Sequence, residues 1–291
     1  MKLAAIDIGS NAVRLQIVRV NENPNDKDIF KKVEFVRVPI RLGDDAFKKQ
    51  WISKSKRKIF KQAMQAFKLM LEAFEVDHYM ACATSAMREA ENGQKIAEKI
   101  YFKCGLKINI ISGVRESEII LRSIKEYFKP NTNYLTIDVG GGSTELAVIK
   151  NGKTINSASF NIGTVRMVDG AVNEKTWATI ESWVKHKTDE IPDLEAVVTS
   201  GTINKISVML NPANPEYFTR EQLKDFHRKV SKMSIMERMD NLKLNPDRAD
   251  IIDVSADIYL RILNWCNIEK IHAPNAGLKD GILLELYDKF C

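Results

Sequence analysis

The sequence predicts an α/β chain of two related domains, each a mixed sheet flanked by helices, with a ligand cleft between them. A strand–turn–strand unit near the N-terminus recurs one domain later. Asp7, Gly9, Leu15 and Ile17 align without a gap on Asp138, Gly140, Leu146 and Val148, at a constant offset (138 − 7 = 131). A period that long is the size of a domain and not of a solenoid repeat. Elsewhere, short apolar extended runs alternate with stretches of helical periodicity, the pattern of strands and their covering helices. The 291 residues suffice for two domains that each bury a core.

The second copy is the more informative. An apolar run, Leu135 to Ile137, ends on Asp138; Gly140, Gly141 and Gly142 follow, then Ser143, Thr144 and Glu145, and the apolar pattern resumes through Leu146, Val148 and Ile149. Asn151-Gly152 is a plain hairpin signal. A turn needs one or two residues of positive φ, so three glycines exceed the need. A run of backbone N–H groups stripped of side chains binds anions, and phosphate binding is favoured here over a simple hairpin. Asp138 adds a carboxylate suited to hydrated Mg²⁺. Two such turns facing each other would clamp a phosphorylated ligand between the domains.

The elements read in order as follows. Residues 3–20 form a hairpin around the Asp7 turn; Arg14, polar on an apolar strand, is expected to face solvent sooner than ligand. Residues 21–32 are a polar loop and 33–40 an extended run. Residues 55–75 carry Ile59, Ala63, Phe67, Met70, Leu71 and Phe74 at helical spacing, one buried face and not a cofactor box. A strand at 79–83 precedes Thr84-Ser85, with Arg88 and Glu89 in a turn or first helical turn, where a capping salt bridge between them is the plain reading. A helix follows Asn92-Gly93 and stops at Gly105. A strand at 107–111 leads to a helix at 119–128. Glu116 lies at that junction, where it could stabilise the helix N-terminus or hold a water. Lys129-Pro130-Asn131 is the expected junction between domains 1–128 and 129–291, with the last helix free to pack back on the first. In the second half, 153–161 completes a meander, 173–191 is a helix, 196–198 a strand, and Thr219-Arg-Glu-Gln222 a capping box. One long helix is expected from Asn245 through Trp265, then a strand at 270–273 and a helix at 277–290.

Composition narrows the partners. Hydrophobic residues make up 44% and charged residues 28%, an ordinary globular balance. No apolar run approaches the ~20 residues needed to cross a bilayer. Asp7 stands where a signal peptide would continue its apolar core, so a cytoplasmic protein is expected. The four cysteines form no CxxC pair and the four histidines no HExxH, which points to reduced thiols and away from a His/Cys metal site. Net charge is +6 and the pI about 9.0, which suits a polyanion. Lys48, Lys49, Lys54, Lys56, Arg57, Lys58 and Lys61 form the densest basic patch. It reads equally as a solvated helix face or as an electrostatic track for a long polyanionic chain. Basic residues are not interleaved with aromatics, so nucleic acid ranks low.

The two turns, Asp7-Ile-Gly-Ser-Asn11 and Asp138-Val-Gly-Gly-Gly-Ser-Thr-Glu145, resemble the phosphate motifs of the actin-like (ribonuclease H-like) ATPase superfamily. Within it the chain resembles the exopolyphosphatase/guanosine pentaphosphate phosphohydrolase family. The narrower match rests on Arg41-Leu42-Gly43, Thr84-Ser-Ala-Met-Arg-Glu-Ala90 with Asn92, Ile111-Ser-Gly-Val-Arg-Glu116, Phe160-Asn-Ile-Gly-Thr-Val-Arg166, Thr199-Ser-Gly-Thr202, Arg248-Ala-Asp250 and Gly277-Leu-Lys-Asp-Gly-Ile-Leu283, in order along nearly the whole chain.

The resemblance implies two duplicated actin-like domains and a phosphohydrolase acting on inorganic polyphosphate or guanosine pentaphosphate in an interdomain cleft, as a homodimer. It implies Glu116 as the group that activates water. Phosphate would be held by Gly9, Ser10, Asn11, Arg88, Gly140, Gly141, Gly142, Ser143, Thr144 and Lys279, and Mg²⁺ (or Mn²⁺) by Asp138 with Asp7 or Glu145. Three positions depart from the family pattern: Arg115 in place of an acid, Ser117 in place of alanine, and Lys279 in place of arginine. Arg115 beside Glu116 is expected to weaken it as a base. These departures motivate a second class of reading, a nucleotide- or polyphosphate-binding sensor with little turnover. An ATP-dependent kinase or chaperone is disfavoured by the closer match at Thr84-Ser85 and Gly277 to Leu283.

Overall fold

The computed structural model describes residues 1–21 and 28–291. Its contacts divide it into two compact units, Met1–Ser123 with Leu278–Cys291, and Ile124–Gly277. The second unit thus starts five residues before the expected junction, and the last helix belongs to the first unit. Most of the polar loop expected at 21–32 lies outside the described residues.

The first unit contains β1 (Lys2–Ile8), β2 (Val13–Val20), β3 (Phe30–Val38), α1 (Leu42–Lys49), α2 (Lys54–Ala73), β4 (His78–Ala83), α3 (Ser85–Glu89), α4 (Gly93–Cys104), β5 (Ile108–Ile110) and α5 (Gly113–Ser123). Its sheet runs β3-β2-β1-β4-β5, antiparallel from β1 through β3 and parallel from β1 through β5. β1 is apolar at nearly every position because both its faces are covered. Ala4, Ile6 and Ile8 join one core with α1, α2 and α4 residues. Leu3 and Ala5 face the other way, onto Ile119 and Ile120 of α5 and Leu278, Ile282 and Leu283 of the last helix. Gly281 permits that approach, because a Cβ there would lie 2.0 Å from the Ile119 carbonyl oxygen.

The second unit contains β6 (Asn133–Val139), β7 (Thr144–Lys150), β8 (Lys153–Phe160), α6 (Thr164–Val168), α7 (Glu174–Thr188), β9 (Leu194–Thr199), α8 (Gly201–Leu210), β10 (Tyr217–Thr219), α9 (Arg220–Val230), α10 (Ile235–Leu242), α11 (Pro246–Ala249), α12 (Ile252–Trp265) and β11 (Lys270–His272); the last helix is α13 (Leu278–Phe290). Its sheet runs β10-β11-β9-β6-β7-β8. Strands β8-β7-β6-β9-β11 repeat the order and directions of β3-β2-β1-β4-β5, and β10 is an added antiparallel edge. The duplication read from two short motifs therefore extends to whole sheets.

Three helix readings need correction. The helix expected at 119–128 is α5, which starts at Gly113 and ends at Ser123, so Glu116 lies within it. The buried face of α2 is Phe60, Ala63, Met64, Phe67 and Leu71, and Ile59 is exposed, one residue's rotation off that stripe. The helix expected from 245 to 265 is broken into α11 and α12. Buried Arg238 supplies the reason: it donates to the Ala249 carbonyl at 3.0 Å and grips both carboxylate oxygens of Asp253 at 2.7 Å. A guanidinium that takes a carbonyl at a helix end stops the ladder there. The capping box at Thr219 and Gln222 is present. β10, α1, α6, α8 and α10 had no counterpart in the sequence reading.

Candidate functional site

In the first unit the turn between β1 and β2 spans residues 9–12, with Ile8 opposite Val13 and Asp7 opposite Arg14. The Gly9 amide closes it onto the Ala12 carbonyl at 3.1 Å. The turn is gripped from two sides. The Arg41 amide donates to the Asn11 carbonyl at 2.8 Å and the Gly43 amide to the Ser10 carbonyl at 2.9 Å. On the other side Ser10 Oγ lies 2.8 Å from Ser85 Oγ and accepts from the Ala86 amide. Ser10 and Asn11 are both buried, so the Ser10 hydroxyl braces the turn against α3. Arg14 does not face solvent: its guanidinium is ion-paired to Asp7 at 2.5 Å.

Glu116 sits in the first turn of α5, largely buried. Its cationic neighbour is Arg88 at 3.6 Å, which also donates to the Ile111 carbonyl at 2.8 Å. Arg88 therefore joins α3, the end of β5 and the start of α5. The arginine expected to weaken Glu116 is turned away from it. Arg115 points outward and pairs with Glu118 and Glu285, because adjacent residues on a helix do not share a face. The plain pairing of Arg88 with Glu89 gives way to the pairing with Glu116. Lys279 is ion-paired to Asp280 at 2.6 Å, and Gln16 of β2 approaches the other Asp280 oxygen at 3.3 Å.

In the second unit the glycine turn is held by its carbonyls. The Thr164 amide donates to Gly140, the Val165 and Arg166 amides to Gly141, and Arg166 Nε to Gly142 at 2.8 Å. Among the described residues nothing accepts from the amides of Gly141 or Gly142, and Gly141 is partly exposed. Fixing the carbonyls inward orients the opposite ends of those peptides toward a ligand. Gly163 makes the arrangement possible, since a Cβ there would lie 2.5 Å from the Gly142 nitrogen. Thr144 is fully buried and donates to the Ile162 carbonyl at 2.8 Å. Ser143 is buried and its carbonyl closes the turn from Gly140. The Ser143 backbone and the Thr144 hydroxyl brace the loop.

Asp138 and Glu145 stand opposite each other across β6 and β7, the place held by Asp7 and Arg14 in the first unit. Asp138 accepts from the Thr199 hydroxyl at 3.0 Å and Glu145 from the Ser159 hydroxyl at 2.8 Å. Beneath them Tyr259, fully buried on α12, donates to the Thr199 carbonyl at 2.6 Å and accepts from the Val139 amide at 3.2 Å. It ties the C-terminal ends of β6 and β9 together where they diverge. Burial, with the Asp138 charge nearby, raises the Tyr259 phenol well above its ordinary pKa. Sequence reasoning missed Tyr259, Ser85 and Thr199 as site supports. Their partners lie far off in the chain; Ser85 and Thr199 fall inside family motifs that do not show this role, and no motif marks Tyr259.

The donor set was tested for a metal. Among the described residues no group of three or more His, Cys, Asp or Glu side chains converges to hold one. Asp7 has an arginine partner instead. Two facing carboxylates, Asp138 and Glu145, fit a Mg²⁺ that arrives on phosphate and keeps its waters, which needs only one or two protein ligands.

Two mixed sheets of repeated strand order, flanked by helices and each opening on a glycine turn, are the actin-like ATPase fold. The chain belongs to the Ppx/GppA phosphatase family, whose pattern it matches over residues 23–290. It is 27% identical, over 97% of its length, to a bifunctional 3-dehydroquinate synthase/phosphatase of Fusobacterium nucleatum, covering 46% of that protein. It is 24% identical, over 98%, to a guanosine-5'-triphosphate,3'-diphosphate pyrophosphatase of Aliivibrio fischeri, covering 59% of it. It is 22% identical, over 99%, to exopolyphosphatase 1 of Mycobacterium tuberculosis, covering 89% of it. The chain thus spans about half the length of the first two relatives. Among solved structures, an exopolyphosphatase from Cytophaga hutchinsonii superposes with a TM-score of 0.85 at 20% identity, over 99% of this chain and 98% of that one. No helix among the described residues is long and apolar enough to cross a membrane.

Proposed function

We propose that the chain is a phosphoanhydride hydrolase that releases terminal phosphate from inorganic polyphosphate. One observation carries the reading: Glu116, a mostly buried carboxylate, sits at a helix start beside Arg88 at 3.6 Å. In this reading Glu116 positions and deprotonates the attacking water, and Arg88 holds the carboxylate in place and offers charge to the phosphoryl oxygens. The amides of Gly141 and Gly142 bind phosphate oxygens. Asp138 and Glu145 would hold Mg²⁺, which when bound neutralises charge on the transferring phosphoryl group.

Guanosine pentaphosphate is the second reading, favoured by the name of the Aliivibrio relative and by the same chemistry at its terminal phosphate. The test is phosphate release from long-chain polyphosphate and from guanosine pentaphosphate with Mg²⁺, for the wild type and Glu116→Gln. The substitution keeps the shape and removes the base, and a loss of about 10²–10⁴ in kcat is expected. Equal rates in both would refute the role of Glu116. Tight binding of either substrate without release would make the protein a sensor.

A further inference from the structure

The chain's net positive charge is concentrated in one segment. Residues 46–71 contain eight lysines and arginines and no aspartate or glutamate. The whole chain is +6, so this segment at +8 leaves the remainder at −2. The segment folds as the end of α1 and most of α2.

Within it the cations divide by partner. Lys56 is structural, reaching the carbonyls of Ile40 and Arg41 and the carboxylate of Asp44 at 3.0, 2.6 and 2.9 Å. Lys49 lies 3.8 Å from Asp45 and Lys68 3.1 Å from Glu72. Lys48 lies on α1 and has partners of its own. Lys54, Arg57, Lys58 and Lys61 remain on α2, spaced i, i+3, i+4, i+7 along one flank of the helix, about 100° around from the buried Phe60, Met64 and Phe67. Among the described residues, none of these four has a carboxylate within 4.0 Å.

This stripe costs the fold stability. Like charges at i,i+4 destabilise a helix by about 0.2–0.5 kcal/mol per pair. Cations near a helix N-terminus oppose its dipole, where carboxylates would help. The first turn of α2 has no acidic residue. An arrangement unfavourable to the free helix becomes favourable when an anion lies along it.

Lys56, between Lys54 and Arg57 but on another face of the helix, links this end of α2 to the phosphate turn of its own unit. Lys56 bonds the Arg41 carbonyl, and the Arg41 amide bonds the Asn11 carbonyl at 2.8 Å. From Lys54 to Lys61 the helix advances roughly 10 Å, at 1.5 Å per residue.

We propose that Lys54, Arg57, Lys58 and Lys61 form a docking track for the distal phosphates of a long polyphosphate chain whose end is processed at the candidate site. This inference rests on the polyphosphate reading and deepens it. A linear polyanion presents evenly spaced charges along the whole stripe; a guanosine pentaphosphate presents too few.

The test compares the wild type with K54Q/K58Q/K61Q. For phosphate release from long-chain polyphosphate, KM should rise about tenfold with kcat unchanged, while kinetics on tripolyphosphate stay the same. The slope of log KM against log salt should fall by about 2, for three contacts at ~0.7 released counterions each. The melting temperature should hold or rise. Unchanged KM on the long chain, equal effects on long and short substrates, or a melting temperature lower by several degrees would each overturn the track. Should the wild type release no phosphate at all, the proposed activity fails separately. Direct binding of fluorescent long-chain polyphosphate then decides: about tenfold weaker binding by the variant supports the track, and equal binding overturns it. Competition by single-stranded DNA of matched charge as effective as that of polyphosphate would overturn the choice of ligand.

Discussion

Asp138 and Glu145 are direct cross-strand neighbours, whereas Asp7, at the equivalent place in the first unit, is paired with Arg14 at 2.5 Å. The duplicated hairpin therefore sets an acid opposite a base in one copy and an acid opposite an acid in the other. Like charges directly opposite on a sheet are destabilising, and a divalent cation relieves them. Mg²⁺ is expected to raise the melting temperature of the wild type, with about 2.7 kcal/mol of stabilisation at a hundredfold excess over its Kd. Asp138→Asn with Glu145→Gln should abolish the shift. A shift of equal size in that variant, measured by calorimetry, would remove these carboxylates as the metal site.

Gly163 is required by close approach and not by conformation, since its φ is −166° and open to any residue. An alanine Cβ would meet Gly142 N at 2.5 Å, Gly141 C at 2.6 Å and Gly141 O at 2.7 Å, all backbone atoms. Gly163→Ala should cost about 3 kcal/mol, the upper part of the overpacking range. It should also weaken phosphate-ligand binding at least tenfold. Urea denaturation and a binding titration check the two effects, and wild-type values in both would show that the loop yields without harm.

Tyr259→Phe keeps the ring and removes a hydroxyl that serves the Thr199 carbonyl and the Val139 amide. Both partners lie in a buried region, so the expected loss is about 1–3 kcal/mol in urea unfolding. A shift under 0.5 kcal/mol, the scale of a surface change, would mean that the two strand ends hold their register alone.

Asp45 accepts from the Ser53 amide at 2.9 Å, just before α2. Burial alone would raise its pKa; the bonds from Ser53, with Lys56 and Lys49 nearby, outweigh it and hold the carboxyl below its ordinary value. A depressed carboxylate contributes stability in full above the unfolded pKa, about 4, and loses it as pH falls through the lower folded value. Asp45→Asn should cost about 1 kcal/mol at pH 7, and the gap to the wild type should narrow below pH 4. A gap independent of pH would assign the effect to packing.

Much of the fold was legible because its signals are local. The Asp-x-Gly grammar at Asp7 and Asp138 marked both hairpins, and apolar periodicity marked α2, α4 and α7. Ser53 and Asn173 at their helix starts show the same logic, each side chain accepting an amide of the first turn. Where the reading failed, a distant side chain decided. The break between α11 and α12 depends on Arg238, a residue of α10 that no periodicity in 245–265 reveals. The partner of Glu116 is Arg88, far earlier in the chain, and not its neighbour Arg115.

By itself the sequence determined the duplication, the two glycine turns and the position of the chain's positive charge, because each is written in residues close together. Tertiary structure alone decided that Asp7 meets Arg14, that Glu116 meets Arg88, and that Asp138 stands opposite Glu145. It also decided that the Ser10 and Thr144 hydroxyls brace their turns, and that the last helix packs on the first unit. Those outcomes depend on strand register and on which helix covers which face, and such contacts join residues whose separation in sequence carries no pattern.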